Sequence, residues 1–132
     1  MALKPSKELV GKELELAREF LRDAKYLFDK GALRSASGRA YYSMFHGAKA
    51  VLESLGESPK THKGTISLFG EKVIKANLMD KVFGRYLSEG LSERKSADYD
   101  GMIVPEEDEV AKIIGNAEKF LNDVERLIKD KF

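Results

Sequence analysis

Two side chains able to handle a phosphodiester, Arg39 and His46, lie seven positions apart in the stretch RAYYSMFHGAKAVLESLG, residues 39–56. A guanidinium can hold a phosphate through two parallel N–H bonds, and an imidazole can transfer the proton of a ribose 2′-hydroxyl. Together they have the parts to act on a phosphodiester. On a helix they return to nearly one face, two turns apart, with Tyr42 and Ser43 between them. The plain alternative gives His46 a hydrogen bond at a helix interface and Arg39 a carboxylate partner, because an arginine before a histidine at such a spacing is a weak pattern.

A second group, Lys60, Thr61, His62 and Lys63, opens a predicted helix, where backbone donors and two ammonium groups would welcome an anion. Between Lys60 and Lys95, lysines and arginines outnumber Glu71, Asp80, Glu89 and Glu93, which makes this the basic part of a chain whose net charge is only +1. A solvated helix face is the bland account of that excess, and nucleotide or RNA contact is the sharper one. The third group is Arg94, Asp98 and Tyr99. Arg94 and Asp98 are spaced to pair on a helix, or Asp98 could hold Arg94 beside Tyr99 in a groove.

Other chemistries are set aside. The chain has no cysteine, which removes thiolate catalysis, cysteine zinc sites and disulfides. His46 and His62 are its only imidazoles, and neither has a second histidine or paired carboxylates at ligand spacing, so no metal and no cofactor is expected. Gly-rich phosphate cradles, a serine nucleophile elbow and DNA-binding motifs are absent from the sequence. No apolar run approaches the roughly 20 residues that cross a bilayer, and the first residues lack a secretory pattern; a soluble, cytoplasmic protein is expected.

The elements that must position these groups are helical. Ser6 is a candidate N-cap for a helix whose apolar stripe is Val10, Leu14, Ala17, Leu21, Ala24 and Phe28, widened by Leu9, Leu16, Phe20 and Leu27, and stopped by Gly31. So short a link to the next helix makes the two antiparallel neighbours. That helix buries Ala36, Ala40, Met44, Ala48, Val51 and Leu55, with Tyr41 and Phe45 beside the stripe and Gly56 as a left-handed close. A helix over about 63–76 ends at Asn77, and another runs from about Met79 to Lys95. Gly84 and Gly90 within it predict close packing or mobility. SADYDGM reads as a turn, and Pro105 as the first position of a last helix running to the chain end. The whole predicts an all-α, up-and-down bundle of four to five helices in a single domain over residues 1–132.

Three blocks in order, GRAYYSMFHGAKAVLESLG, KTHKGTISLFGEKVIK and SERKSADYDGM, resemble the HEPN family (higher eukaryotes and prokaryotes nucleotide-binding domain), in particular a stand-alone prokaryotic branch. The resemblance implies a homodimeric helical bundle, often the toxin half of a toxin-antitoxin pair with a minimal nucleotidyltransferase. Active members are metal-independent ribonucleases in which an arginine precedes a histidine, contributed by both subunits at the dimer cleft. Arg39 and His46 fit that spacing, with Ala40 where active members usually carry a polar residue. At the later helix where many members carry the motif, this chain has Arg94 and Tyr99 but no histidine. The expectation is therefore a module whose cleft takes a nucleotide or RNA phosphate through Tyr42, Lys60, His62, Lys63, Arg94, Asp98 and Tyr99. An endoribonuclease using Arg39 and His46, or a purely structural interaction dimer, are the alternatives.

Overall fold

The computed structural model describes residues 5–99 and 105–131, with side chains to residue 92 and again from residue 105. Helices α1 (Lys7–Asp29), α2 (Leu33–Ser54), α3 (His62–Phe69), α4 (Lys81–Tyr99) and α5 (Glu107–Lys131) follow in order, with a π-helical turn, Gly70–Ile74, continuing α3. The described residues contain no strand. The protein is all-α.

Local chemistry sets the ends of these elements. The Ser6 hydroxyl accepts the Leu9 amide at 3.2 Å and starts α1. Three chain reversals then share one device. At Gly31 (φ +80°), Gly56 (φ +81°) and Asn77 (φ +58°) a left-handed residue closes a helical segment. In each case the next amide reaches back five residues, Ala32 to Leu27, Glu57 to Leu52 and Leu78 to Val73, at 2.9 Å. Gly31 and Gly56 fill the roles their residue type predicts, and Asn77 ends the third segment as expected.

Some boundaries differ from expectation. The third segment begins at His62 and widens at Gly70–Ile74, where the Lys75 amide bonds to the Gly70 carbonyl. Phe69 and Val73 stay fully buried across the change. Met79 lies buried ahead of α4 rather than inside it, because the Asp80 carboxylate takes the Val82 amide at 2.9 Å and starts the helix there. Helix α4 runs on to Tyr99 through the first residues of the predicted turn, whose Asp100–Gly101 corner lies outside the described residues. Pro105 precedes α5 instead of opening it, since the Glu106 carbonyl accepts the first helical bond, from Val110 at 3.1 Å.

Helix α2 is the central element and packs against the other four helices. Its predicted stripe is buried, with Leu55 half-covered at the end. Gly47 lets the Phe120 ring of α5 approach, and Phe120 in turn packs on Phe69 and Phe83 with ring centroids 5.5 and 5.8 Å away. Phe69 and Phe120, both fully buried, each stabilise the fold by about 1.5–3 kcal/mol relative to exposure, and Phe83 is partly buried beside them. Helix α1 lies on α2 and α5 through Val10, Leu14, Ala17 and Ala24. Arg18–Glu125 and Lys25–Glu118, both at 2.9 Å, link it antiparallel to α5. Leu9 and Leu16, which the sequence places in the buried stripe, remain 48% and 39% exposed. The narrow row of small and branched residues already fills the contact, so the outer leucines face away from this chain.

Candidate functional site

Arg39 and His46 are two turns apart on α2, and Glu13 and Phe20 are two turns apart on α1. In an antiparallel hairpin these equal intervals bring Glu13 opposite His46 and Phe20 opposite Arg39 and Tyr42. The register is held at its centre by the buried Ser43 hydroxyl, which donates to the Ala17 carbonyl at 2.8 Å. Ser43 thus faces α1 and does not line an open surface.

His46 Nδ1 lies 2.6 Å from one carboxylate oxygen of Glu13, and the Lys49 ammonium lies 3.5 Å from the other. Burial works to raise the Glu13 carboxyl, but the His46 hydrogen bond and the positive charges of Lys49 and His46 outweigh it and hold Glu13 below the usual carboxylate range. An ionised carboxylate can only accept, so Nδ1 is the donor. The Phe20 ring stacks on His46, centroids 5.4 Å apart and planes 14° from parallel, and on Tyr42 at 5.5 Å. The Arg39 guanidinium sits over the same ring, 5.7 Å from its centre. The pair predicted from α2 is therefore gathered around Phe20. His46 has the interfacial hydrogen bond of the plain reading, whereas exposed Arg39 rests on an aromatic face.

His62 joins this group from α3. Thr61 caps that helix through its hydroxyl, which accepts the Gly64 amide at 2.9 Å, so one of the donors expected for an anion is already occupied. The His62 ring stacks on Phe45 at 4.1 Å and 13°, and its Nδ1 is 2.8 Å from the hydroxyl of fully buried Tyr41. Phe45 also meets His46 edge-on at 5.4 Å, and Tyr42 touches both imidazoles. Lys49 lies over the Phe45 ring at 5.7 Å. Both histidines thus belong to one aromatic network with a cation at each end, Arg39 over Phe20 and Lys49 over Phe45. Lys60 and Lys63 flank it, exposed on either side of Thr61 and His62.

Of the residues expected from sequence, the structure brings Arg39, Tyr42, His46 and His62 together, although His62 was expected in a separate group. Glu13, Phe20, Tyr41, Phe45 and Lys49 join this cluster without having been expected there. The matching two-turn intervals on α1 and α2 were the available signal. Arg94, Asp98 and Tyr99 fall on the last turns of α4, where side chains lie outside the described residues. Among the described residues, no group of three or more carboxylates and imidazoles could hold a metal ion. No described helix is long and apolar enough to cross a membrane.

The family model described as HEPN domain matches residues 11–127. A protein of Methanocaldococcus jannaschii named "Putative toxin MJ0605" is 36% identical over 117 residues, covering 89% of this chain and 87% of that one. A UPF0332 protein of Thermotoga maritima is 36% identical over 114 residues, 86% of each chain. A UPF0332 protein of Archaeoglobus fulgidus is 35% identical over 120 residues, 88% of this chain and 95% of its own.

Proposed function

The chain belongs to the HEPN domain family, and on that footing we propose that it is a toxin-type module whose α1–α2 face takes a nucleotide or RNA phosphate. The observation that carries this reading is the aromatic network of Phe20, Tyr42, Phe45 and two imidazoles, with Arg39 and Lys49 at its ends. The partly exposed rings, Phe20, Tyr42 and the two imidazoles, can meet bases while the cations meet phosphate, with buried Phe45 as their support, a combination suited to single-stranded nucleic acid. The toxin naming of a relative supports the same direction. In this reading the chain acts as a homodimer with a minimal nucleotidyltransferase partner.

Calorimetry with nucleotides and short single-stranded RNAs, with and without such a partner, tests the ligand. Arg39→Ala is expected to weaken binding about tenfold, the loss of one charge-assisted contact. No heat from the wild type under either condition would end the binding proposal.

A second reading is favoured by a specific contact, the Glu13–His46 hydrogen bond: a metal-independent endoribonuclease in which Arg39 holds the phosphate and His46 moves the proton. Equal RNA cleavage by wild type and His46→Ala in EDTA removes the histidine from that role.

A further inference from the structure

We propose that Glu13 is the positioning residue for His46, holding its Nδ1 so that Nε2 is the nitrogen presented to a ribose 2′-hydroxyl. This rests on the ribonuclease reading of the same site.

Three restraints converge on the imidazole. Its Nδ1 donates to Glu13 at 2.6 Å, its face lies on Phe20, and its edge meets Phe45. The Glu13 carboxylate is itself restrained, with Lys49 at its second oxygen and 20% of its side chain exposed. A carboxylate so placed selects the tautomer of a neutral imidazole and stabilises the imidazolium formed when the other nitrogen takes a proton. The His46 side chain remains 17% exposed, with Nδ1 committed to Glu13. The other charged or titratable groups facing this ring are Arg39 across Phe20, Lys49 across Glu13, and Tyr42. His62 reaches it through Phe45. Among the described residues, the acceptor at Nδ1 is Glu13.

The step that follows balances. Nε2 takes the 2′-hydroxyl proton, the 2′-oxygen bonds to phosphorus, and the bond from phosphorus to the 5′-oxygen breaks. That oxygen leaves with a proton from solvent, and the imidazolium returns its own to solvent. Glu13 accepts a hydrogen bond throughout and never touches the RNA.

Two measurements on the full chain test this. Nitrogen-15 NMR of the neutral His46 ring is expected to show the Nδ1–H tautomer in the wild type and the Nε2–H tautomer in Glu13→Ala. Cleavage of a single-stranded RNA in EDTA is expected to lose about a hundredfold in kcat, with KM unchanged, in Glu13→Ala. The Glu13→Ala/His46→Ala double variant should be no slower than His46→Ala alone, because the two residues act as one unit. Glu13→Gln, closer in shape, should stay folded and fall in kcat by about tenfold. An Nε2–H tautomer in the wild type overturns the positioning role even where RNA is cut. Wild-type kcat in Glu13→Gln overturns it as well. Absence of cleavage by the wild type defeats the ribonuclease reading instead, and the Glu13 contact is then only a structural tie between α1 and α2.

Discussion

Glu13 illustrates how one side chain joins stability to chemistry. Its carboxyl is held below the ordinary value in the folded chain, so its contribution is fully present above the unfolded carboxylate range. That contribution is lost as pH falls through the lowered folded value. Thermal melts taken downward from neutral pH should therefore show a steep acid loss in the wild type and a shallower one in Glu13→Gln; parallel curves would show that Glu13 is not a source of the acid sensitivity. At this scale the sequence discloses part of the site. Helical spacing alone places Arg39, Tyr42 and His46 on one face. It carries no information about which residue of α1 stands opposite, and so Glu13 and Phe20 stay hidden until the two helices are set side by side.

Helix α4 approaches α2 through a missing side chain. A Cβ at Gly90 would meet Met44 Cε at 3.0 Å and Tyr41 Cδ1 at 3.2 Å, and Tyr41 is the residue that holds His62. Gly90→Ala should destabilise by about 1 kcal/mol despite the better helix propensity of alanine, because Met44 and the buried ring must shift. Gly115 in α5 has nothing within 4 Å of its would-be Cβ, and Gly115→Ala should stabilise by up to about 1 kcal/mol. Urea unfolding of both variants checks the contrast, and destabilisation by both would point to a general intolerance of substitution in these helices. Close packing at Gly90 was one of the two readings its residue type allows. The π-helical turn at Gly70–Ile74 was not legible, since an added residue in a turn leaves Phe69 and Val73 at an ordinary helical spacing. The beginning of α4 was also misplaced, because Met79 is apolar whether it sits in the helix or is buried just before it.

For the whole molecule, the helical bundle and the order of its elements follow from apolar stripes, caps and glycine stops, each of which acts locally. Self-association is different: it depends on surfaces that a single chain leaves uncovered. In the proposed homodimer, the outer face of α1, with Leu9 and Leu16 exposed beside Glu13, is a surface available for burial. If α1 forms the subunit contact, Leu16→Glu should shift sedimentation velocity from dimer toward monomer by placing a charge where apolar area is covered. An unchanged dimer would assign the contact to another face, and a monomeric wild type would remove the homodimer proposal altogether.

The equal spacing of partners across α1 and α2 has a practical outcome for anyone wishing to transplant this constellation. Copying α2 into another scaffold would carry Arg39, Tyr42 and His46 and leave behind the carboxylate and the ring that orient them. The Ser43–Ala17 bond, with no chemical group in the site, acts as its ruler. One residue inserted within α2 between Arg39 and Ser43 would turn the arginine by about 100° away from Phe20 while His46 kept its place, and so silence an unmutated pair.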